Sequence, residues 1–216
     1  MNQFQHYLFD FDGTLFDSSD GILNAIAYAV GELGLKPLSD SHLRRFIGPP
    51  LSMSFGKYCG LDKKASEEAI RLLRVYYKEY GILQADPYPG IRIMVNELLT
   101  RNKKLYIATS KPTLFAEQIL DRYGIRDAFE MIQGSGLVGD IMEKTEIMHA
   151  ICDKAPELKP GKSIMVGDTT HDIHGAHNVG MPSIAVLYGF GTTKDLLRAR
   201  PTQLAESVST LREIVT

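Results

Sequence analysis

The sequence predicts an α/β fold in which a doubly wound parallel sheet forms the core and an α-helical domain is inserted near its start. Two observations lead to this prediction. From about residue 85 onward, short apolar segments alternate with helical patterns, which is typical of a parallel sheet covered on both faces. Before that point, a single apolar strand opens the chain and helical periodicity follows it. We therefore predict a core domain of residues 1–15 and 85–216 and a helical domain of residues 16–84.

The opening strand is predicted from residues 7–9, an apolar run (Tyr-Leu-Phe) that suits a sheet buried on both faces. Two acids, Asp10 and Asp12, follow it, and Gly13 permits a sharp turn. In an extended chain, residues two apart share a face, with Cα atoms roughly 6.5 Å apart. Like charges this close repel each other, so the pair favours a bound cation and a reacting group. The alternative is a strand and an Asp-Gly turn with both carboxylates in water.

Helix boundaries in the inserted domain follow from capping residues and glycines. Residues 18–20 (Ser-Ser-Asp) offer N-caps for a helix that Gly34 ends. No strand is expected between residues 16 and 84. Further helices are predicted at 41–47, 51–58 and 62–80, ended by Gly48-Pro49-Pro50, Gly60 and Gly81.

In the rest of the chain, a turn at Tyr88-Pro89-Gly90 precedes a helix that starts near Ile91. Ligands of parallel sheets bind beyond the carboxyl ends of the strands. The polar residues that are candidates for catalysis or binding lie at these strand ends. The predicted strands are 105–108, 129–132, 163–166, 183–187 and a weak one near Leu204, and the predicted helices are 112–123, 143–152, 172–179, 194–198 and 207–215. The polar strand ends are Asp10 with Asp12, Thr109-Ser110-Lys111 and Gly167-Asp168.

Composition limits the possible partners. With 24 basic and 26 acidic residues and a net charge of −2, the chain has no general attraction to nucleic acid or an anionic membrane. We find no signal-peptide pattern and no apolar run long enough to span a bilayer. Cys59 and Cys152 suit a reducing compartment, and no zinc-binding spacing is present. We expect a soluble cytoplasmic protein, either a monomer or a homodimer.

Four motifs occur in an order that resembles the haloacid dehalogenase-like hydrolases. They are DFDGTL (Asp10–Leu15), IATSK (Ile107–Lys111), Lys144 and VGDTTHD (Val166–Asp172). The helical insert after the first motif resembles the helical cap of that superfamily. Residues 46–51 and 88–90 resemble its phosphoglycolate phosphatase-like branch, which includes predicted 5′-nucleotidases. The resemblance covers essentially the whole chain and implies a Rossmann-like core that hydrolyses a small phosphorylated metabolite.

The resemblance also implies roles for individual residues. Asp10 corresponds to a nucleophile that forms an aspartyl-phosphate. Asp12 corresponds to a general acid and base, the alternative being a second metal-binding carboxylate. The Thr109 hydroxyl holds a phosphoryl oxygen, helped by the backbone N–H of Ser110 at the start of the next helix. Lys144 neutralises the phosphate and the nucleophile together, although a lone lysine is otherwise usually a solvated surface charge.

A cation is required because a nucleophilic carboxylate and a phosphate dianion repel each other. Mg²⁺ prefers oxygen ligands and suits a site with few carboxylates. By resemblance, its ligands are the side chains of Asp10 and Asp168 and the backbone carbonyl of Asp12. Asp172 binds the metal directly, binds it through water, or only orients Lys144. As a further alternative, Asp172 is an acid favoured at a helix N-terminus.

Three other residues near these motifs are weaker candidates. Lys111 could bind phosphate, or it could equally be an exposed residue at a helix entry. His171 and His174 flank Asp172, but an oxygen-rich site for a hard cation argues against histidine ligands. We expect these histidines to lie at the surface or beside the ligands.

The helical insert is the expected source of substrate specificity, because a domain that closes over the site can position the leaving group. Arg44, Arg45 and the turn at residues 48–50 are expected to face the active site. Arg45 is the first choice to hold a second anionic group of the substrate. The alternative for Arg45 is a solvated helix face.

Three other functions are alternatives to a phosphatase. Sugar-phosphate mutases of the β-phosphoglucomutase type are similar, but they carry a histidine about twelve residues after the nucleophile, where this chain has Ile22. Dehalogenases lack the second acid of the DxD motif and need no metal. A catalytically silent binding protein of the same fold is disfavoured because every motif residue needed for turnover is present.

Overall fold

The computed structural model describes residues 4–47, 51–136 and 143–216. The chain divides into two compact units, one of Met1–Asp17 with Pro87–Thr216 and the other of Ser18–Asp86. These boundaries lie two residues further along the chain than the domain boundaries expected from sequence. Hereafter the first is called the core unit and the second the helical unit.

The core unit is built on a six-stranded parallel sheet. Its strands are β1 (His6–Phe9), β4 (Lys104–Pro112), β5 (Met131–Ser135), β6 (Ser163–Gly167), β7 (Ser183–Val186) and β8 (Gln203–Ala205). They lie in the order β5-β4-β1-β6-β7-β8. Strand β1 is central, and Phe9 pairs with Ile107 on one side and Val166 on the other. This doubly wound order confirms the predicted fold class.

Helices cover both faces of the sheet. Every residue of β1 is buried, and because successive side chains of a strand point to opposite faces, neither face of β1 is open to solvent. Leu8 lies in an apolar cluster with Ile147 and Ile151 of one helix. Tyr7 donates a hydrogen bond to the carbonyl oxygen of Val215 at the C-terminal helix. The helices of this unit are α5 (Ile91–Thr100), α6 (Thr113–Arg122), α7 (Lys144–Lys154), α8 (Thr170–Asn178), α9 (Thr193–Arg198) and α10 (Val208–Val215).

Strand β4 is longer than predicted. The apolar pattern suggested residues 105–108, but the strand continues to Pro112, with a register shift between Ala108 and Pro112. The expectation that Ser110 opens the next helix is therefore wrong, because α6 begins at Thr113. The physical reason is that a proline disfavours helical backbone in the residue before it, which keeps Lys111 extended.

Two short strands flank the helical unit, β2 (Phe16–Asp17) and β3 (Asp86–Pro87). The expectation of no strand in residues 16–84 is wrong for β2. Two residues are too few to show the alternation of apolar and polar side chains from which a strand is recognised in sequence.

The helical unit contains helices at the predicted places. Gly34 and Gly60, with φ of 65° and 69°, end the first and third of them in the left-handed region. Its helices are α1 (Ser19–Glu32), α2 (Asp40–Leu43), α3 (Leu51–Cys59) and α4 (Lys63–Glu79), with short 3-10 turns at Arg44–Phe46 and Gly81–Gln84. The predicted turn at 48–50 lies outside the described residues.

Close packing of α1 depends on two glycines. A Cβ atom on Gly21 would lie only 2.3 Å from the carbonyl oxygen of Gly81. Asn24 of the same helix donates to Gln84 at 2.9 Å, and Tyr28 stacks on Tyr76 of α4 with ring centroids 5.1 Å apart. The backbone of the 3-10 turn at Gly81 therefore lies directly against α1.

Two further sequence expectations can be compared with the structure. Both cysteines are free thiols, as expected. Within the described ranges, every helix is either too short or too polar to serve as a membrane span.

Candidate active site

The candidate site lies at the carboxyl edge of the central strands in the core unit. Asp10 directly follows β1, and its backbone N–H donates to the carbonyl oxygen of Val166 at 2.9 Å. Thr109 lies in β4 on one side, and Asp168 directly follows β6 on the other. Because these strands are adjacent and parallel, the fold brings together residues that are up to 158 positions apart in sequence.

Lys144 is the first residue of α7, and its ammonium group is shared by three acceptors. The Nζ atom lies 2.9 Å from Oδ1 of Asp10 and 2.7 Å from Oδ1 of Asp172. It also donates to the carbonyl oxygen of Ala108 at 2.8 Å. Burial opposes the charge, but the carboxylates of Asp10 and Asp172 outweigh it and raise the pKa of Lys144 above its ordinary value. The lysine is therefore fixed and positively charged, and it is not a solvated surface charge.

Asp168 is fully buried, and both of its oxygens accept hydrogen bonds. Oδ1 accepts from the Thr14 hydroxyl at 3.0 Å, and Oδ2 accepts from the backbone N–H of Phe190 at 2.8 Å. Burial, with the nearby charges of Asp10 and Asp172, raises the pKa of Asp168 well above its ordinary value. The two hydrogen bonds hold the carboxylate in a fixed orientation.

Asp172 lies in the first turn of α8, as expected, and forms a capping box with Thr169. Its Oδ2 accepts from the Thr169 backbone N–H at 2.9 Å and from the Thr169 hydroxyl at 2.8 Å. A Cβ atom on Gly167 would lie 2.3 Å from Cγ of Asp172, so the backbone of β6 passes very close. One oxygen of Asp172 thus caps the helix while the other faces Lys144, which favours an orienting role.

Asp10, Asp168 and Asp172 form a compact cluster in which one oxygen from each lies within 4.8 Å of the others. Burial raises the pKa of Asp10, the attraction of Lys144 opposes this and the charge of Asp172 adds to it, so that the pKa is about 6. When all three are ionised, they carry three negative charges against the single positive charge of Lys144, which pairs with Asp10 and Asp172, and this leaves an excess of two negative charges in a buried place. A divalent cation with oxygen ligands, such as Mg²⁺, fits this donor set and would cancel that excess.

Asp12 is paired with Lys111 rather than with Lys144. The Nζ atom of Lys111 lies 2.8 Å from Oδ1 and 3.0 Å from Oδ2 of Asp12. The alternative of an exposed lysine at a helix entry is wrong, because Lys111 lies within β4 and its side chain is only 4% exposed.

Thr109 and Ser110 differ in their surroundings. Thr109 is buried, and its hydroxyl oxygen accepts from the backbone N–H of Lys111 at 3.2 Å. A hydroxyl that accepts this bond retains its own proton to donate. Ser110 is exposed, and its carbonyl oxygen accepts from the Ser135 hydroxyl at 2.9 Å. The structure therefore gives Ser110 strand geometry, without the helix N-terminus on which its expected phosphate contact depended.

Sequence reasoning missed three contributors to the site, namely Thr14, Thr169 and the backbone of Phe190. The available signal for Phe190 was a pair of glycines beyond the end of β7. A Cβ atom on Gly189 would lie 2.3 Å from Cβ of Asp168, and one on Gly191 would lie 2.0 Å from the Asp168 carbonyl oxygen. Glycines at such a strand end mark a close backbone approach.

The remaining predicted residues are placed as follows. His171 and His174 are both exposed on α8, which agrees with the surface expectation. Arg44 and Arg45 are exposed in the helical unit. Whether Arg45 binds substrate stays a prediction.

Fold and site together define an α/β enzyme built around carboxylates at strand ends. The family model for haloacid dehalogenase-like hydrolases matches residues 7–186, and the chain belongs to this family. A haloacid dehalogenase-like hydrolase from Streptococcus pneumoniae has a similar solved structure, with a TM-score of 0.90, 34% sequence identity and full coverage of both chains. The predicted family is therefore confirmed.

The curated relatives include enzymes with different names. A 5′-nucleotidase of Pseudomonas aeruginosa is 33% identical over 99% of this chain and 96% of its own length. The tyrosine-protein kinase PtkA of Mycobacterium tuberculosis is 31% identical over 97% of this chain and 71% of its own length. A phosphoglycolate phosphatase of Vibrio parahaemolyticus is 26% identical over 96% of this chain and 94% of its own length, so the chain has the phosphoglycolate phosphatase relatives that the sequence predicted.

Proposed function

We propose that this chain is a Mg²⁺-dependent phosphomonoesterase acting on a small phosphorylated metabolite. Phosphoglycolate is the first candidate substrate and a nucleoside 5′-monophosphate the second, since relatives bear names for both activities. The observation that carries the proposal is the excess of negative charge around Asp10. The Asp10 carboxylate lies beside the fixed ammonium group of Lys144, and a divalent cation would offset the remaining negative charge. This arrangement suits nucleophilic attack on a phosphate.

In the first step, a carboxylate oxygen of Asp10 attacks phosphorus, and the bond from phosphorus to the ester oxygen breaks. The ester oxygen leaves as an alcohol after taking a proton from the protonated carboxyl group of Asp12. The product is an aspartyl-phosphate on Asp10. Lys144 offsets the charge of the phosphoryl oxygens, and the Thr109 hydroxyl donates to one of them.

In the second step, the Asp12 carboxylate takes a proton from water as the water oxygen attacks phosphorus. The bond from phosphorus to the Asp10 oxygen breaks, which releases inorganic phosphate and regenerates the free carboxylate.

Asp10, Asp168 and the backbone carbonyl of Asp12 are the proposed holders of the cation, and Asp172 acts mainly on Lys144. When bound, the cation supplies charge compensation between the nucleophile and the phosphate. We propose that the helical unit serves as the cap over this site. Location in the cytoplasm, and a monomeric or dimeric state, remain predictions from composition.

Hydrolysis is favoured over phosphoryl transfer to another metabolite. A mutase must protect its phosphoenzyme from water, and this chain has Ile22 where such relatives have a histidine. The test is release of inorganic phosphate from a panel of phosphorylated metabolites by the purified protein with Mg²⁺. Parallel incubation with labelled ATP and tyrosine peptides tests the activity for which PtkA is named. No release of phosphate from any ester with any divalent cation would contradict the proposal.

Addition of Mg²⁺ is expected to stabilise the protein. At a concentration about 100 times the dissociation constant, binding to the folded state alone contributes about 2.7 kcal/mol. For a chain of this size, that raises the melting temperature by about 5–10 °C relative to EDTA.

Asp168→Asn should abolish most of this Mg²⁺-dependent shift, because it removes one proposed carboxylate ligand. Asp153→Asn, at an exposed acid of α7, is the matched control and should keep the full shift. Thermal unfolding with and without Mg²⁺ measures both variants. An equal shift in Asp168→Asn and wild type would exclude Asp168 as a ligand.

Arg45→Ala is expected to raise KM for phosphoglycolate by about tenfold and leave 4-nitrophenyl phosphate unaffected. The physical reason is that a guanidinium pairs with a second anionic group, which only the first substrate carries. Arg44→Ala, which changes the neighbouring exposed arginine, is the control. Steady-state kinetics on both substrates measure the effect, and an equal loss on both would point to damaged folding.

A further inference from the structure

We propose that Lys111 positions the Asp12 carboxyl group for proton delivery to the leaving oxygen. This inference rests on the proposed function, in which Asp12 is the acid and base. Lys111 is a positioning residue here because it acts on the substrate through Asp12.

The first observation is the symmetry of the contact. One Nζ atom lies 2.8 Å from one oxygen and 3.0 Å from the other oxygen of Asp12, so it fixes the plane of the carboxylate. The Lys111 side chain is 4% exposed and that of Asp12 is 21% exposed. A buried ammonium therefore holds an acid that still reaches solvent, which is where a substrate enters.

The second observation is that Lys111 is itself rigidly held. Its backbone N–H donates to the Thr109 hydroxyl oxygen at 3.2 Å. A Cβ atom on Gly134 would lie 2.2 Å from the Lys111 carbonyl oxygen, so β5 packs directly against this residue. The Nζ atom also lies 5.5 Å from the centre of the Phe11 ring. The first two contacts fix the backbone of Lys111, and the aromatic ring and the burial of the side chain restrict its ammonium group.

The third observation is that the two buried lysines pair with different carboxylates. Lys144 faces Asp10 and Asp172, and Lys111 faces Asp12. A protonated Asp12 still has a carbonyl oxygen that accepts from Lys111, so the same contact holds the acid and the base form. Without Lys111, the carboxyl group of Asp12 would turn towards water and would no longer be oriented to donate a proton to the ester oxygen.

Lys111→Met tests this inference through the dependence on the leaving group. An alkyl leaving group needs a proton, whereas 4-nitrophenolate leaves without one. We expect kcat/KM, which reports steps up to loss of the leaving group, to fall about 10²-fold for an alkyl phosphate. For 4-nitrophenyl phosphate it should change by less than about threefold. The alkyl substrate is phosphoglycolate or adenosine 5′-monophosphate, whichever the wild type hydrolyses faster.

Three further variants sharpen the test. Lys194→Met, at an exposed lysine of α9, should change neither substrate. Lys111→Arg, which keeps a charged donor, should recover most of the alkyl activity. Adding Lys111→Met to Asp12→Asn should have no further effect on the alkyl substrate, because the group that Lys111 positions is already lost.

An equal loss on both substrates would overturn the inference and show that Lys111 binds the phosphate itself. An additive effect in the Asp12→Asn background would overturn it as well. If wild type releases phosphate from neither kind of ester, the proposed function and this inference fail together. Should Lys111→Met not fold, Lys111→Gln takes its place with the same two decisive outcomes.

Discussion

Replacing Asp10 by asparagine is expected to lower the turnover of phosphate esters by about 10³-fold or more. The amide nitrogen and oxygen have almost no nucleophilicity towards phosphorus, while the side chain keeps its size. The ammonium of Lys144, which lies 2.9 Å from Oδ1 of Asp10, remains paired with Asp172 at 2.7 Å. Release of inorganic phosphate under saturating substrate and Mg²⁺ measures the loss, and Asp153→Asn serves as the neutral control.

Stability provides the internal check on this variant, because loss of activity through unfolding must be separated from loss of the nucleophile. Folding raises the pKa of Asp10 to about 6, mainly through burial, so its ionised form weakens the folded state at pH 7.5 without metal. This destabilisation is greatest above the folded-state pKa, and it fades as the pH falls from there towards the ordinary pKa of an aspartate, about 3.9. In EDTA, Asp10→Asn should therefore melt no lower than wild type at pH 7.5, and any advantage should shrink below about pH 6 and vanish at about pH 4.

A covalent intermediate gives a second, independent check on Asp10. In Asp12→Asn, water activation is lost, so a phosphoryl group from an aryl phosphate should accumulate on the enzyme. Acid quenching followed by peptide mass spectrometry should locate this group on Asp10. A phosphoryl group on another residue, or retention of a tenth of the wild-type turnover by Asp10→Asn, would refute the assigned nucleophile.

The sequence was sufficient to predict the sheet and most of the charged cluster. Strands such as residues 6–9 and 163–167 are fully buried and consist largely of apolar residues, so local pattern determines them. The carboxyl ends of parallel strands converge, and this rule alone places Asp10 and Asp168 together. Lys144 could be predicted as a site residue only from the family resemblance, because a single lysine at the start of a helix does not by itself indicate a function.

The pairing of Lys111 with Asp12 could not be predicted from local pattern. Three successive polar residues, 109–111, show neither strand nor helix periodicity, and only Pro112 indicated extended backbone. Contacts made by backbone atoms were missed for a related reason. The N–H of Phe190 reaches Asp168 at 2.8 Å from a loop whose path depends on packing between distant strands.

The site contains four carboxyl groups and two buried lysines, Lys111 and Lys144. Asp12 forms an ion pair with Lys111. Asp10 and Asp172 pair with Lys144, and Asp168 lies in the same cluster, so the three acids when ionised leave two negative charges for a cation to balance. Asp12, the proposed acid and base, therefore belongs to a different ion pair from Asp10, the proposed nucleophile.

Lys144→Met should therefore damage stability as well as catalysis. Removing one partner of a buried ion pair costs about 3–5 kcal/mol, because the remaining charges stay buried without compensation. For a chain of 216 residues, this corresponds to a fall of about 10 °C in the melting temperature in EDTA. Turnover should fall by at least about 10²-fold, because charge compensation at the phosphate is lost. Lys154→Met, an exposed lysine at the other end of α7, should stay within about 0.5 kcal/mol of wild type.

A double variant separates these two effects of Lys144. In Lys144→Met with Asp172→Asn, one negative charge leaves together with the positive one, so the cluster returns to the charge excess of the wild type. Most of the lost melting temperature should therefore return, whereas turnover should not, because no ammonium faces the phosphate. If the double variant melts as low as Lys144→Met alone, the instability arises from packing around the Lys144 stem rather than from uncompensated charge. If turnover returns with stability, Lys144 acts only as a structural counterion to Asp172.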